Sequence, residues 1–183
     1  MPDTQRLPQS GKLNNVIRNG RLEADIWRAF VADESMAGPT MPPDEDGWLV
    51  TLDTWRATRD ALRARRHPVA VYLAPDAEPE DLLDAGAAVI DAAGIAHLAI
   101  DFPVYTDGRG YSLAQLLRTQ YGWRGELRAV GDVMIDTVHY MARCGFDAFA
   151  VKPSHDPQAA LAALGTFTVH YQKTYASTST LAA

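Results

Sequence analysis

Three charged residues stand at the ends of largely apolar runs. Asp101 follows Leu98-Ala99-Ile100, Asp132 comes shortly after Leu127-Arg128-Ala129-Val130, and Lys152 ends Phe146 to Val151. A carboxyl can give or take a proton, and an ammonium can hold an anion. Between the first two lies Tyr105-Thr106-Asp107-Gly108-Arg109-Gly110-Tyr111-Ser112. Gly108 and Gly110 permit close backbone approach, Arg109 offers a planar fork of donors, and a helix opening at Ser112 would present free N–H groups. Together with Arg128, this set has the chemistry of an oxyanion or phosphate site. A second reading is a tight surface turn with Arg109 paired to Asp101 or Asp107. Lys152 likewise reads either as a site cation or as the ion-pair partner of Asp101 or Asp132.

Other constellations carry two readings each. Asp132, Asp136, His139 and Arg143 recur at helical spacing, as a metal set would or as a solvated helix face with Asp132 at its cap. The solvated face is the simpler reading, and no metal site is assigned. Cys144, at a helix end, reads as a small packed hydrophobe rather than a reactive thiol. Arg56, Arg59, Arg63, Arg65 and Arg66 lie along or just after one helical segment. They offer an anionic partner a surface, or they complement the helix dipole.

The elements that must position these residues form a regular series. Asn19-Gly20 predicts a type I′ hairpin turn, followed by an apolar packing segment at Asp25-Ile26-Trp27 and Phe30. The Pro-rich acidic stretch Gly38 to Asp46 separates this N-terminal flap from the body. Trp48 to Leu52 predicts a strand, and Asp53 predicts the cap of a helix with Trp55, Thr58, Arg59 and Leu62 on one face. Four strand–helix units follow. Val69 to Leu73 leads to a helix from Pro79 to Gly94, and Leu98 to Ile100 leads to a helix behind a Ser112–Gln115 capping box. Leu127 to Val130 leads to a helix with Ile135, Val138 and Ala142, and Phe146 to Val151 leads to a helix capped by Asp156 with Pro157 in its first turn. Thr166 to Tyr171 alternates as a half-wet strand.

Four successive βα units with apolar strands predict an α/β fold with a parallel sheet and an N-terminal β-hairpin flap. Half of an eight-unit barrel has the same pattern, so an open sheet and a partial TIM-like barrel both stand. In either, the strand C-termini bring Asp101, Asp132 and Lys152 to one edge. The expected organisation is a flexible N-terminus over 1–14 and a single domain over 15–173. Within it, 15–47 is flap and loop, 48–173 carries the βα units, and 174–183 is a flexible tail.

The balance of 17 basic and 23 acidic residues in 183, a net charge of -6, argues against a nucleic-acid or anionic-membrane binder. No apolar run reaches the length of a membrane span, and the N-terminus lacks a signal-peptide core, so a cytoplasmic protein is expected. A single cysteine excludes an intrachain disulfide and a four-cysteine iron–sulfur cluster within one chain.

Several segments together carry a resemblance. They are Val16-Ile17-Arg18-Asn19-Gly20 with Asp25-Ile26-Trp27, Asp101-Phe102-Pro103, Gly108-Arg109-Gly110-Tyr111-Ser112, Leu117-Arg118, Gly125 to Val133, and Met141 to Asp147. The chain resembles a bacterial domain-of-unknown-function family described as oxidoreductases of sulfite reduction. The resemblance implies an accessory oxidoreductase or oxyanion-handling component of assimilatory sulfite reduction. In that role Arg109, its loop and Lys152 would hold sulfite, sulfate or a phosphate-bearing ligand, and Asp101 or Asp132 would manage protons. The cofactor is left unassigned, a flavin with its phosphate on the loop's helix being compatible with that role. The other reading is a non-catalytic partner docking to sulfite reductase or its electron donor through the arginine-rich helix. Homo-oligomerisation is compatible with both.

Overall fold

A computed structural model describes residues 15–32 and 40–166. The half-wet strand expected from Thr166 and both expected flexible termini lie wholly or almost wholly outside those residues.

Eight strands form one sheet. In chain order they are β1 (Val16–Arg18), β2 (Arg21–Glu23), β3 (Arg28–Ala29), β4 (Trp48–Thr51), β5 (Val69–Leu73), β6 (Ile95–Phe102), β7 (Glu126–Gly131) and β8 (Ala148–Ala150). The helices are α1 (Leu52–Arg63), α2 (Arg109–Thr119), α3 (Val138–Cys144) and α4 (Pro157–Leu164). The sheet order is β2-β1-β8-β7-β6-β5-β4-β3. From β3 to β8 every neighbouring pair is parallel and the chain order never reverses. With right-handed crossovers, such a succession places every helix on the same face. The sheet therefore curls into a half-barrel with helices on its convex side.

Burial follows the strand period of two. Val69, Val71, Leu73, Leu98, Ile100, Phe102, Leu127, Ala129 and Phe149 pack with Trp55, Leu62, Leu113, Leu117, Val138 and Met141 in the main core. The alternate residues, Leu49, Ala70, Tyr72, Ala99 and Val130, form a second cluster with Trp27, Ala74 and Ala150. No helix contributes to it. The small side chains there suit the tight inner radius of a curled sheet.

The N-terminal segment is not a separate flap, and the sheet is not made of four strands alone. β1 pairs antiparallel with β2 and with β8, whereas β3 pairs with β4 at the opposite edge. Five Cα steps, reaching at most about 17 Å, therefore join the two edges. Seven strand spacings laid flat would measure about 34 Å, so the link is possible only across the concave face of a curled sheet. Its contacts mark the path. The Trp27 ring meets His97 of β6 edge-on at 4.6 Å, and Asp25 lies 3.6 Å from Arg128 of β7. We call residues 24–27 the strap.

Local chemistry accounts for most elements and for three departures from expectation. Asn19 and Gly20 take φ of 50° and 69°, as a type I′ turn requires. Asp156 caps α4 by accepting from Gln158 N–H at 2.9 Å. α1 is capped by Thr51, which accepts from Thr54 N–H at 3.2 Å, while Asp53 sits inside its first turn. The expected helix after Pro79 stops as a 3₁₀ turn at Leu82. Its carbonyls are taken instead by Arg59, which donates to Asp81 and Leu83 at 2.7 and 2.6 Å, and Gly86 turns away at φ 78°. α2 begins at Arg109, so Ser112 lies inside its first turn and donates to Gly108 C=O at 3.4 Å. Arg118 is buried, donates to Gly145, Trp123 and Gly125 carbonyls, and pairs with Asp147. It thereby ties the end of α2 to the start of β7 and the end of α3.

Candidate functional site

The strand C-termini form a rim. Asp101 lies on β6, opposite Val130 of β7, on the face of His97 and Ala99 and therefore toward the concave side. Its neighbour on β5 is Tyr72, whose hydroxyl bonds the Asp101 carboxyl. Burial raises the carboxyl's pKa above the usual range, and the Asp107 charge adds to the rise. The Tyr72 hydroxyl is pushed up by burial and then by Asp101.

Gly131 closes β7 at φ 88°, where a Cβ would meet both Asp101 Oδ1 and Phe102 C=O at 2.5 Å. Only glycine fits. The close approach lets Asp132 N–H donate to Phe102 C=O at 2.7 Å, which sets Asp132 next to the end of β6. Its carboxylate accepts from Lys152 Nζ at 2.6 Å and from Tyr105 N–H at 3.1 Å. Lys152 holds the Asp132 pKa below the ordinary value. The Lys152 side chain is 42% exposed. Asp132 thus pairs with a lysine across the rim and does not cap α3, which starts only at Val138.

The Gly108–Ser112 loop is satisfied from within. Asp107 accepts from Arg109 N–H at 3.0 Å and takes the guanidinium in a fork, at 3.0 Å from Nε and 2.7 Å from Nη2. A carboxylate thus already occupies the N-terminus of α2, and a flavin phosphate set there would face its negative charge. These residues do not fit that cofactor. Gly110 serves packing, since a Cβ there would strike the Phe102 ring at 2.8 Å. Arg128 is not part of this loop. It pairs in register with Ala99 and Ala148, is buried, and donates to Glu126 at 3.0 and 2.7 Å.

The structure brings Asp101, Asp132 and Lys152 to neighbouring strand ends and leaves Arg128 on the concave face. Among the described residues no group of three or more His, Cys, Asp or Glu is arranged to hold a metal ion. The helical spacing of Asp132, Asp136 and His139 does not become a shared helix face. Cys144 is half-buried, and burial raises its thiol pKa. The side chains of Arg56, Arg59, Arg63 and Arg65 bind their own chain. Arg59 and Arg63 donate to Asp84 at 3.0 Å, Arg56 is 3.3 Å from Asp81, and Arg65 is 3.4 Å from Asp44.

Two residues were not legible as site members. Tyr72 reads as one more apolar residue of β5, and His97 as one more residue of β6. The strand period would have put Tyr72 on the Asp101 face. The strap contacts of His97, which is 2% exposed, depend on a crossing that no periodicity encodes.

Comparison with known proteins gives a family and nothing closer. Neither the curated proteins nor the solved structures hold a match to this chain. Among the described residues no helix is long and apolar enough to cross a membrane. A family model described as a bacterial protein of unknown function (DUF934) matches residues 70–182, from β5 onward and more than half of the sequence, and the chain belongs to that family.

Proposed function

We propose that the protein is an accessory component of assimilatory sulfite reduction in which the rim acts on a small oxyanion as an acid–base site. The observation that carries this reading is the half-buried Asp101, bonded by Tyr72 at a strand C-terminus with its pKa raised by burial. A raised pKa favours the protonated carboxyl, the form that can donate a proton. The proton passes from the Asp101 carboxyl to a substrate oxygen, leaving a carboxylate and an O–H, and solvent reprotonates Asp101. Lys152, whose side chain is 42% exposed, is the cation an oxyanion meets, in exchange for the Asp132 carboxylate. The sulfur context comes from the segment resemblance. With one cysteine the chain has no dithiol, so the electrons are assigned to a partner.

The test is calorimetric titration of sulfite into wild type, Asp101→Asn and Lys152→Ala across pH. Binding should strengthen as pH falls through the raised Asp101 pKa, lose that dependence in Asp101→Asn, and weaken about tenfold in Lys152→Ala. Absence of binding at millimolar sulfite, or a pH profile unchanged in Asp101→Asn, overturns the assignment.

A further inference from the structure

The sheet has an open edge at β2, which pairs with β1 on one side and has no neighbour on the other among the described residues. Arg18 and Arg21 flank the two-residue Asn19-Gly20 turn and face each other in register, as do Val16 and Glu23. Residues flanking such a turn exchange their backbone hydrogen bonds, and the exchange recurs at every second pair. Arg21 and Glu23 are thus bonded to β1, whereas Leu22 turns its N–H and C=O to the open side. The Leu22 side chain packs against the main core, on the helix face of the sheet. Arg21 and Glu23 therefore project from the opposite, concave face.

The order of charges selects the occupant. β2 reads Arg21-Leu22-Glu23. Run antiparallel against a second copy of itself, with Leu22 opposite Leu22, it sets Arg21 of each copy directly opposite Glu23 of the other. The two Leu22 residues then exchange both backbone hydrogen bonds, and the Arg–Glu pairs fall at the closer, non-hydrogen-bonded positions where opposite charges stabilise a sheet. Arg21 and Glu23 are exposed, and Arg21 takes part in no ion pair among the described residues. Glu23 lies 3.6 Å from Arg18, whose closer partner is Glu126 at 2.6 Å. The chain's own Thr166–Tyr171, which follows α4, contains no Asp, Glu, Lys or Arg to answer either charge.

The helix beside this edge fits the same arrangement. α4 packs against α3, β1 and β2. It carries no charged residue, although Ala160 alone among its residues is fully buried. A helix seated over β1 and β2 has its two-fold image about two strand spacings away, roughly 10 Å, which is the separation of packed helices. Three strand residues are too few for a stable interface, and a charge-free helix pair supplies further apolar area. We propose that two copies join edge to edge through β2, about a two-fold axis at Leu22, into one continuous sheet with the two α4 helices side by side. The inference does not depend on the chemistry of the rim.

Sedimentation equilibrium of the full chain should show a monomer–dimer equilibrium. Arg21→Glu and Glu23→Arg each set like charges opposite one another in both pairs, so each variant alone should dimerise about tenfold more weakly. Mixed in equal amounts, the two variants again set a carboxylate opposite a guanidinium, and their heterodimer should form within about threefold of the wild-type affinity. Circular dichroism should be unchanged in both, because the exposed Arg18–Glu23 pair contributes little to folding. A wild type that stays monomeric at millimolar concentration overturns the proposal, and slow amide exchange at Leu22 in that monomer would give the edge to the chain's own Thr166–Tyr171. Undiminished dimerisation of either variant alone, a mixture that stays monomeric, or species larger than a dimer would overturn it as well.

Discussion

On the concave face, Arg128 is shared between Glu126 and Asp25, and Glu126 also accepts from Arg18 at 2.6 Å. The Arg128 and Glu126 side chains are 7% and 12% exposed, and the strap with Trp27 and His97 lies among them. At the rim, Arg109 clasps Asp107 with a shorter list of partners, and its side chain is 58% exposed. The two pairs use the same chemistry at similar distances. They differ at the cation: Asp107 and Glu126 are each 12% exposed, whereas water reaches Arg109 and not Arg128. Buried charges hold the curl of the sheet because removing one strands the other, whereas rim charges can be exchanged for a ligand at small cost to the fold.

The largest expected effect breaks the buried pair. Arg128→Ala should destabilise the protein by about 3 kcal/mol, leaving Glu126 and Asp25 on the enclosed face without their shared cation. Urea unfolding measures it, and a loss no larger than that of a rim variant would erase the contrast.

Next comes His97. Burial, followed by the charges of Arg128 and Arg18, lowers its pKa well below the usual value. The native state therefore binds fewer protons than the unfolded chain below about pH 6.5. Stability should be full above that pH and fall below it, by up to about 1.4 kcal/mol per pH unit. Thermal melts across pH should show this slope in wild type and a flatter one in His97→Gln.

Asp101 has the opposite sign. Its raised pKa means that the native state holds the proton more tightly, so its contribution is present at low pH and is lost as pH rises. Asp101→Asn should therefore stabilise the protein at neutral pH, by less than about 1 kcal/mol because the group is partly hydrated. The gain should vanish below about pH 4, where the unfolded carboxyl is protonated too. The smallest effect belongs to Arg109→Ala, whose melting temperature should match wild type, while a fall comparable to Arg128→Ala would make the loop a structural clamp.

Legibility in the sequence followed the range of the forces involved. The Asn19-Gly20 turn, the Asp156 cap and the strands β5, β6 and β7 are local, and residue type and period reveal them. The helix expected after Pro79 fails because its apolar spacing is right while its carbonyls are captured by Arg59, which lies more than 20 residues earlier in the chain. That Asp101, Asp132 and Lys152 lie at neighbouring strand ends follows from the strand boundaries, whereas the Asp132–Lys152 pair and the Tyr72–Asp101 bond do not. The pairing of Arg109 with Asp107 is one of the two readings its spacing allows, and the partners of Arg128 follow from its strand face, which its nearness to the loop in sequence does not reveal. The strap has no local signal at all: two edge strands five residues apart become intelligible only once the sheet is known to curl.

The pairing of β1 with β8 also orders events in time. Asn15 donates to Val151 C=O across 136 positions of sequence. At a synthesis rate of about 5–20 residues per second, roughly 7 to 27 s separate the emergence of these two ends. The Asn19-Gly20 hairpin can close at once, yet its apolar Val16 and Ile17 have no sheet to join during that interval. β8, when it arrives, offers an open edge able to capture another chain until the hairpin docks. Among the described strands, the first pair made is the last to find its place in the sheet.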